Sequence, residues 1–548
     1  MSISLKANGN LEDGKSYPAK SDGGMVASAN PLATGAGLRI LRAGGNAVDA
    51  AIAVASTLNV VEPFMSGVGG IGVSLVYWAK DDQLRALDFS GNAPSGATSQ
   101  LFTDERKSLG SIAMLVPGNL AGWWEMHQSY GSKEWEVLFK DAIELAEEGF
   151  QLTRFGGEMI QNSVSRLSNF PSSEILLDRS GAPPCSGETL KLPLLAGSLR
   201  KIAGKGVDTF YTGELADSIV SGLSDLGGIL TKDDLANYSP SWKEPISIEY
   251  RGDTIYAPPP NSTAFQILQT LKLLEQFDLG ELNFTGSDFP HIFIETVKLA
   301  VSDRIQYAGD PEINPVPLNV LLSEEYALSQ KRRIDFKKVN DSPGDRFLQH
   351  RPAKSLMPGE FDGGMTTHFA VADKYGNVVN VTQTLGGAFG SSLAPKDTGI
   401  FMNNMCHWFD LEEGSPNIIG PGKKVDFCCS PTQIFKEEKF FASVGTPGSW
   451  GIMQTTPQII VNLLDRGMDI QNAIEAPRLK STIRRKVETE SRFSTDTING
   501  LKLLGHEITD IGPYSRAVGG AQGITRDEAS GRFYGGADPR RDGYAEGL

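Results

Sequence analysis

Gly363-Gly364-Met365-Thr366-Thr367-His368-Phe369-Ala370-Val371-Ala372-Asp373 reads as a flexible Gly-Gly joint running into a β-strand. Phe369 and Val371 share a face under the two-residue period. Lys374-Tyr375-Gly376-Asn377 then makes a tight turn into a second strand, Val378 to Gln383. Taken alone, the Thr pair is structural, because β-branched residues suit a pleated surface. The residues around it change that reading.

The chain has 548 residues, enough for several domains or one large layered unit. Hydrophobic residues make up 40% and charged residues 21%, which allows a large buried core. The 61 glycines point to many loops and close backbone approaches. With 51 basic against 66 acidic residues the net charge is −15, which disfavours nucleic acid and anionic membranes as partners. The four cysteines (Cys185, Cys406, Cys428, Cys429) form no C-x-x-C pair, and the six histidines show no H-E-x-x-H or comparable spacing. No metal and no cofactor are expected. Met1 to Lys20 lacks the apolar stretch of a signal peptide, and no apolar run reaches membrane-spanning length, so the expected location is cytoplasmic.

Residues 1–24 read as a disordered lead, followed by a strand at Met25-Val26-Ala27-Ser28 and helices over Leu32–Ala43 and Ala47–Asn59. Gly67-Val68-Gly69-Gly70-Ile71-Gly72 matches G-x-G-x-x-G formally. Glu62-Pro63 precedes it and a strand-like run follows, which is the wrong context for a dinucleotide site. It reads better as a turn where backbone passes close to something else. Further strands are expected at 85–89, near 246–256, and at 366–372, 378–384, 399–403, 431–436 and 440–444. Helices are expected at 119–130, 135–149, 153–162, 211–226, 231–238, 264–277, 289–306, 451–467 and 470–476. Beyond Asp310-Pro311 the chain turns polar, and 340–362 reads as an exposed linker. Strands at both ends and helices between them predict two sheets stacked between helical layers.

Many separate blocks carry a resemblance over about Met25 to Asp542. They include Gly44-Gly45-Asn46-Ala47-Val48-Asp49-Ala50-Ala51, Val61-Glu62-Pro63, Val116-Pro117-Gly118 and Tyr250-Arg251-Gly252. Pro258-Pro259-Pro260, Ser302-Asp303-Arg304, Tyr307-Ala308-Gly309-Asp310-Pro311, Thr366-Thr367-His368 and Gly445-Thr446-Pro447-Gly448 follow in order. With these blocks the chain resembles the γ-glutamyltranspeptidase family of N-terminal-nucleophile hydrolases. The resemblance implies an α+β fold, a four-layer αββα sandwich. It also implies a precursor cleaved between Met365 and Thr366 into large (1–365) and small (366–548) fragments that stay intertwined as one domain.

In such enzymes a Thr hydroxyl attacks the preceding carbonyl, and hydrolysis of the ester leaves an N-terminal Thr whose α-amine serves as its own base. By the resemblance Thr366 is the nucleophile, and Gly363-Gly364 permits the backbone strain of the attack. Thr384 matches the Thr that hydrogen-bonds the nucleophile and assists processing; read without the resemblance, it is one more strand residue. Gly448 and Ser449 match the Gly-Gly pair whose amides form the oxyanion hole, with Ser adding a Cβ at the second position.

The substrate pocket departs from the family. Its γ-glutamyl enzymes hold the donor's α-carboxylate with an Arg and a Ser pair, and the α-amine with Asn, Gln and Asp. Those positions are here Ser90 (Arg), Phe427 and Cys428 (Ser pair), Gly386 (Asn), Met405 (Gln) and Trp408 (Asp). A zwitterion left without partners in a closed pocket is costly, so a less charged acyl group is expected. The loop Asp410 to Val425 looks short, similar to that of lidless members, which implies an open site.

The expected function is a self-processing amidohydrolase or acyltransferase working through a Thr acyl-ester on a non-γ-glutamyl amide. Its partners are a small-molecule amide, and water or an amine as acceptor. Three alternatives stand beside it: an authentic γ-glutamyltransferase or glutathione hydrolase, a cephalosporin-acylase-like enzyme, and a non-catalytic binding protein. Retention of Thr366, Thr384 and Gly448 argues against the last.

Overall fold

The hairpin expected around Thr366 forms. Strands Met365–Asp373 and Val378–Gly386 pair antiparallel, Thr366 lies opposite Thr384, and the register shifts between Met365 and Thr366. Gly376 makes the turn possible with φ 90°, a conformation L side chains rarely adopt. Nearly every residue of both strands is buried, which explains their continuous β-branched and apolar character. The computed structural model describes residues 16–279, 284, 286–341, 365–482 and 484–548.

Two seven-stranded sheets contain this hairpin and its surroundings. In chain order their strands are β1 (Ala19–Ser21), β2 (Gly24–Ser28), β3 (Ile71–Trp78), β4 (Gln83–Phe89), β5 (Ser241–Lys243), β6 (Ile246–Tyr250) and β7 (Asp253–Ala257). Then come β8 (Met365–Asp373), β9 (Val378–Gly386), β10 (Thr432–Lys436), β11 (Lys439–Gly445), β12 (Gln522–Arg526), β13 (Phe533–Ala537) and β14 (Tyr544–Gly547). One sheet runs β14-β2-β8-β9-β3-β4-β5 and the other β1-β13-β12-β11-β10-β7-β6. Both draw strands from before and after residue 365, and β2 sits between β14 and β8. Separating the two parts would tear both sheets.

Met25, Ala27, Tyr77, Ala370, Val378, Phe435, Phe440 and Ile524 fill the space between the sheets. Outside the first sheet lies helix Ala47–Val61, buried along its whole length. Its alanines keep it slim, and Asn46 with Asp49 closes a capping box at its start. Helices Phe265–Leu274, Asp288–Tyr307 and Ile452–Leu464 cover the second sheet. The result is the αββα sandwich.

Several expectations need correction. Residues 19–21, placed in a disordered lead, form β1, held to β13 from the far end of the chain. Residues 399–403 are not a strand. Their amides bond to scattered loop carbonyls, Met402 to Leu393 and Asn403 to Gly69, so no ladder forms. The helix expected over 211–226 breaks at Thr212-Gly213. The polar stretch after Pro311 contains helices Leu318–Leu321 and Glu324–Lys331. The Gly363-Gly364 joint and most of the expected linker lie outside the described residues.

The glycine-rich turn at 67–72 is the close backbone approach expected of it. A Cβ on Gly70 would fall 2.5 Å from the Thr384 carbonyl oxygen, and one on Gly69 would fall 2.2 Å from that of Phe401. These glycines let the turn press against the strand that carries Thr384.

Candidate active site

At the start of β8 three groups converge. The Thr366 hydroxyl donates to Thr384 Oγ1 at 3.2 Å, and the Thr384 hydroxyl donates to the Met365 carbonyl at 2.7 Å. The Gly386 amide donates to Thr384 Oγ1 at 2.8 Å. One proton given and two accepted fill the capacity of the Thr384 hydroxyl. The bond between Met365 and Thr366 thus has its carbonyl polarised and its neighbouring hydroxyl oriented by the same side chain.

His368, two residues along, fixes the strand against the other sheet. Its Nδ1 lies 2.8 Å from Thr382 Oγ1, and its ring packs where a Cβ on Gly445 would fall, 2.2 Å from Cε1. Burial pushes its pKa down to about 3, so the ring is neutral. This contact sets the end of β11, and the Thr446-Pro447-Gly448-Ser449 turn after it, beside the start of β8. Gly448 has φ 143° and Ser449 φ 53°. Ser449 accepts a left-handed conformation despite its Cβ. Neither amide has an acceptor among the described residues, leaving both to receive an anion.

A cluster of buried charges supports this turn from behind. Asp538 pairs with Arg478 at 2.7 Å and Arg540 at 3.1 Å, and Arg540 also holds Glu490 at 2.6 Å. Arg478 donates to the Val518 carbonyl and Asp538 accepts from the Ala521 amide, which clamps the segment between them. Within that segment the Gly520 amide donates to Thr446 Oγ1 at 3.1 Å. Burial alone would raise the Asp538 pKa. The two guanidiniums and the Arg540 and Ala521 amides outweigh it and hold the carboxyl well below the usual range. Its contribution is therefore fully present above the ordinary aspartate value of 3.8 and is lost only as pH falls towards the folded value. Asp538→Asn leaves buried guanidiniums short of a charge and should cost about 3–5 kcal/mol, read as a lower urea midpoint at neutral pH.

Of the predicted pocket residues, Gly386, Met405 and Trp408 gather beside Thr384. Gly386 has φ 98°, and a Cβ there would lie 2.3 Å from Asn404 Oδ1 and 3.1 Å from Met405 Sδ. The Trp408 ring packs on Trp450, centroids 4.2 Å apart, and so joins this wall to the Gly448-Ser449 turn. Arg304 lies over Trp450 at 3.6 Å, with Asp426 at 3.4 Å. Asn417 ties Asp426 to the Trp408 carbonyl, at 2.7 Å each. Burial pushes Asp426 up to about 7, Arg304 opposing and Asp410 adding to the rise. Phe427 packs in the same apolar cluster as Met405, with Trp408 against it, and Asn261 links it to Ser90: the Asn261 carbonyl accepts from the Phe427 amide and its side-chain amide donates to Ser90 Oγ at 3.1 Å. Cys428 packs with the core beneath the second sheet, towards Arg304.

Sequence reasoning missed Trp450, Arg304 and Asn404. Trp450 follows Ser449 directly, and Arg304 stands inside the quoted block Ser302-Asp303-Arg304, so both had a signal. The histidine reading also needs amending. His291 and Glu295, four apart on one helix, meet His506, and the ligating atoms lie within 4.8 Å of one another. The two imidazoles already hydrogen-bond at 2.7 Å, and Glu295 holds Lys298 at 2.7 Å. No residue of the Thr366 site is among these partners.

The family model for Gamma-glutamyltranspeptidase matches residues 33–548. The chain belongs to the gamma-glutamyltranspeptidase family. It is 35% identical over 540 residues to the glutathione hydrolase proenzyme of Bacillus subtilis (strain 168), covering 96% of this chain and 91% of that protein. It is 34% identical over 542 residues to the acylase ACY 1 proenzyme of Pseudomonas sp. (strain SE83), covering 96% and 94%. Among solved structures, the cephalosporin acylase from Bacillus halodurans superposes with a TM-score of 0.89 at 32% identity, over 100% of this chain and 99% of that one. This member of the gamma-glutamyltranspeptidase family is therefore a self-processing amidohydrolase or acyltransferase of the N-terminal-nucleophile type. Among its described residues no helix is long and apolar enough to cross a membrane.

Proposed function

We propose that this enzyme cleaves itself between Met365 and Thr366 and then hydrolyses or transfers an uncharged acyl group from an amide other than a γ-glutamyl one. In the precursor, Thr366 Oγ1 attacks the Met365 carbonyl carbon. Its proton passes to Thr384 Oγ1, and the Thr384 proton passes to the reacting peptide. The C–N bond breaks as the new amine takes a proton, giving an ester at Thr366 Oγ1, and water releases the Met365 carboxylate. The freed α-amine then takes the Thr366 hydroxyl proton when the oxygen attacks a substrate amide. The Gly448 and Ser449 amides receive the oxyanion, a contribution of about 2.7–4 kcal/mol per donor. The leaving amine takes the proton, and water or a second amine resolves the acyl-ester.

The observation that carries the substrate reading is Gly386. Its backbone conformation and the atoms around it leave no room for the Asn side chain that would bind an α-amine. Ser90 and Met405 bring no charge to replace the missing partners, and the Trp408–Trp450 pair offers flat apolar surface. Trp408 Nε1 has no acceptor among the described residues and can donate to a neutral oxygen on the acyl group.

Kinetics with phenylacetyl- and γ-glutamyl-p-nitroanilide test this choice. An unpaired zwitterion loses several kcal/mol on burial, so kcat/KM should favour the phenylacetyl compound by about 100-fold or more. Preference for the γ-glutamyl compound would reverse the assignment in favour of a glutathione hydrolase.

A further inference from the structure

Behind the nucleophile lies a buried acid that the mechanism above does not use. Glu62 follows helix Ala47–Val61 and its amide closes that helix on the Leu58 carbonyl. It is 2% exposed, and neither carboxyl oxygen has a hydrogen-bond partner among the described residues. A buried carboxyl in that state is rare and calls for an explanation. Its neighbours supply one.

The Thr367 hydroxyl, on the residue after the nucleophile, faces this carboxyl without closing a hydrogen bond of good geometry. Arg541 and Asp542 face it from the segment between β13 and β14. Arg541 in turn faces Asp538 and Arg516, and Asp542 faces Arg516 and Glu158. The Arg541 side chain also lies over Gly520, where a Cβ would fall 2.5 Å from its Cδ. Gly520 is the residue bonded to Thr446 at the head of the Gly448-Ser449 turn. Glu62 thus stands between the nucleophile strand and the scaffold of the turn, with its acceptor capacity unused among the described residues.

We infer that Glu62 is a positioning residue whose carboxyl receives the α-amine created at Thr366, an inference that rests on the cleavage proposed above. In the precursor that nitrogen is a neutral amide and nothing needs the acid. Burial and Asp542 then push the Glu62 pKa up to about 8, with Arg541 and Thr367 opposing, so the carboxyl stays protonated at neutral pH. Cleavage places a basic nitrogen one residue from Thr367. The carboxyl proton moves to that nitrogen, so that carboxylic acid and neutral amine become carboxylate and ammonium, and the ion pair holds the amine in place. When the ammonium passes one proton to solvent water and so becomes the base, a remaining N–H still donates to the carboxylate, leaving the lone pair for the Thr366 hydroxyl.

The test compares wild type with Glu62→Gln and Glu62→Asp, reading both the acid limb of kcat/KM and the pH dependence of acylation of the Thr366 α-amine by an amine-selective reagent. A nearby carboxylate favours the protonated amine and raises its pKa. Glu62→Gln should therefore still self-cleave, while both profiles move about one pH unit lower; Glu62→Asp should keep at least half of the wild-type position. A labelling shift without substrate turnover supports the inference and removes the amidase reading. Unmoved profiles in a processed Glu62→Gln protein overturn the inference and leave that reading intact. Failure of a folded Glu62→Gln chain to cleave also overturns it, because Glu62 would then act before any amine exists.

Discussion

Thr366→Ala should leave one chain of 59.0 kDa where the wild type yields two. Division in proportion to 365 and 183 residues gives fragments of about 39 and 20 kDa, the smaller beginning at Thr366. The alanine keeps the backbone and removes the hydroxyl oxygen proposed to attack the Met365 carbonyl. It also removes the atom that would carry the acyl group and prevents formation of the amine base. Nucleophile and base are lost together, so amide turnover should fall by about 10^4-fold or more. Because both sheets interleave strands from either side of residue 365, the uncut chain should remain folded, with a circular dichroism spectrum like the wild type. Intact mass spectrometry reads the split directly. A folded Thr366→Ala chain that still divides at the same bond would mean that another group performs the attack, and Thr366 would lose its assignment.

Much of this site was legible in the sequence because its elements are local. The period-two pattern of Phe369 and Val371, the turn at Lys374–Asn377 and the block at 445–448 each announce themselves within a few residues. What brings them together is not local. His368 meets Gly445 across the gap between the sheets, and Trp408 meets Trp450 from separate loops. No periodicity records either contact. Glu62 was visible in the sequence as part of the block Val61-Glu62-Pro63, but its burial against Thr367 needed the fold. The expectation for 399–403 failed for the opposite reason. An apolar run looked like a strand, but the Met402 and Asn403 amides bond to loop carbonyls and the Ile400 amide to the Thr398 hydroxyl, instead of to a neighbouring strand. Gly386 is the instructive case. As a letter it says only that an Asn is missing; with φ 98° and Asn404 in the way, it says that a side chain there would strain the backbone and have to displace Asn404.

Thr384→Val should slow self-cleavage by about 10^2–10^3-fold, with Thr384→Ser within tenfold of wild type. Valine keeps the shape of threonine and deletes its hydroxyl. Three hydrogen bonds go with it: the one to the Met365 carbonyl at 2.7 Å, and those from Thr366 Oγ1 and the Gly386 amide. The first matters most for rate, because in the proposed attack by Thr366 negative charge would build on that carbonyl oxygen. A donor already in place where charge develops needs no reorganisation during the reaction, which is why its loss falls on the barrier. The second matters for aim, since the Thr366 hydroxyl would be free to rotate away from the scissile bond. Serine retains the hydroxyl but loses the methyl that limits its rotamers, hence the smaller effect. The conversion of purified precursor, followed by intact mass after transfer to 37 °C, gives the rate for each variant. Equal urea midpoints for the uncut Thr384→Val and Thr366→Ala chains would assign the delay to the reaction and not to the fold. Cleavage of Thr384→Val at the wild-type rate would show that the Thr366–Thr384–Met365 relay is not the route the proton takes.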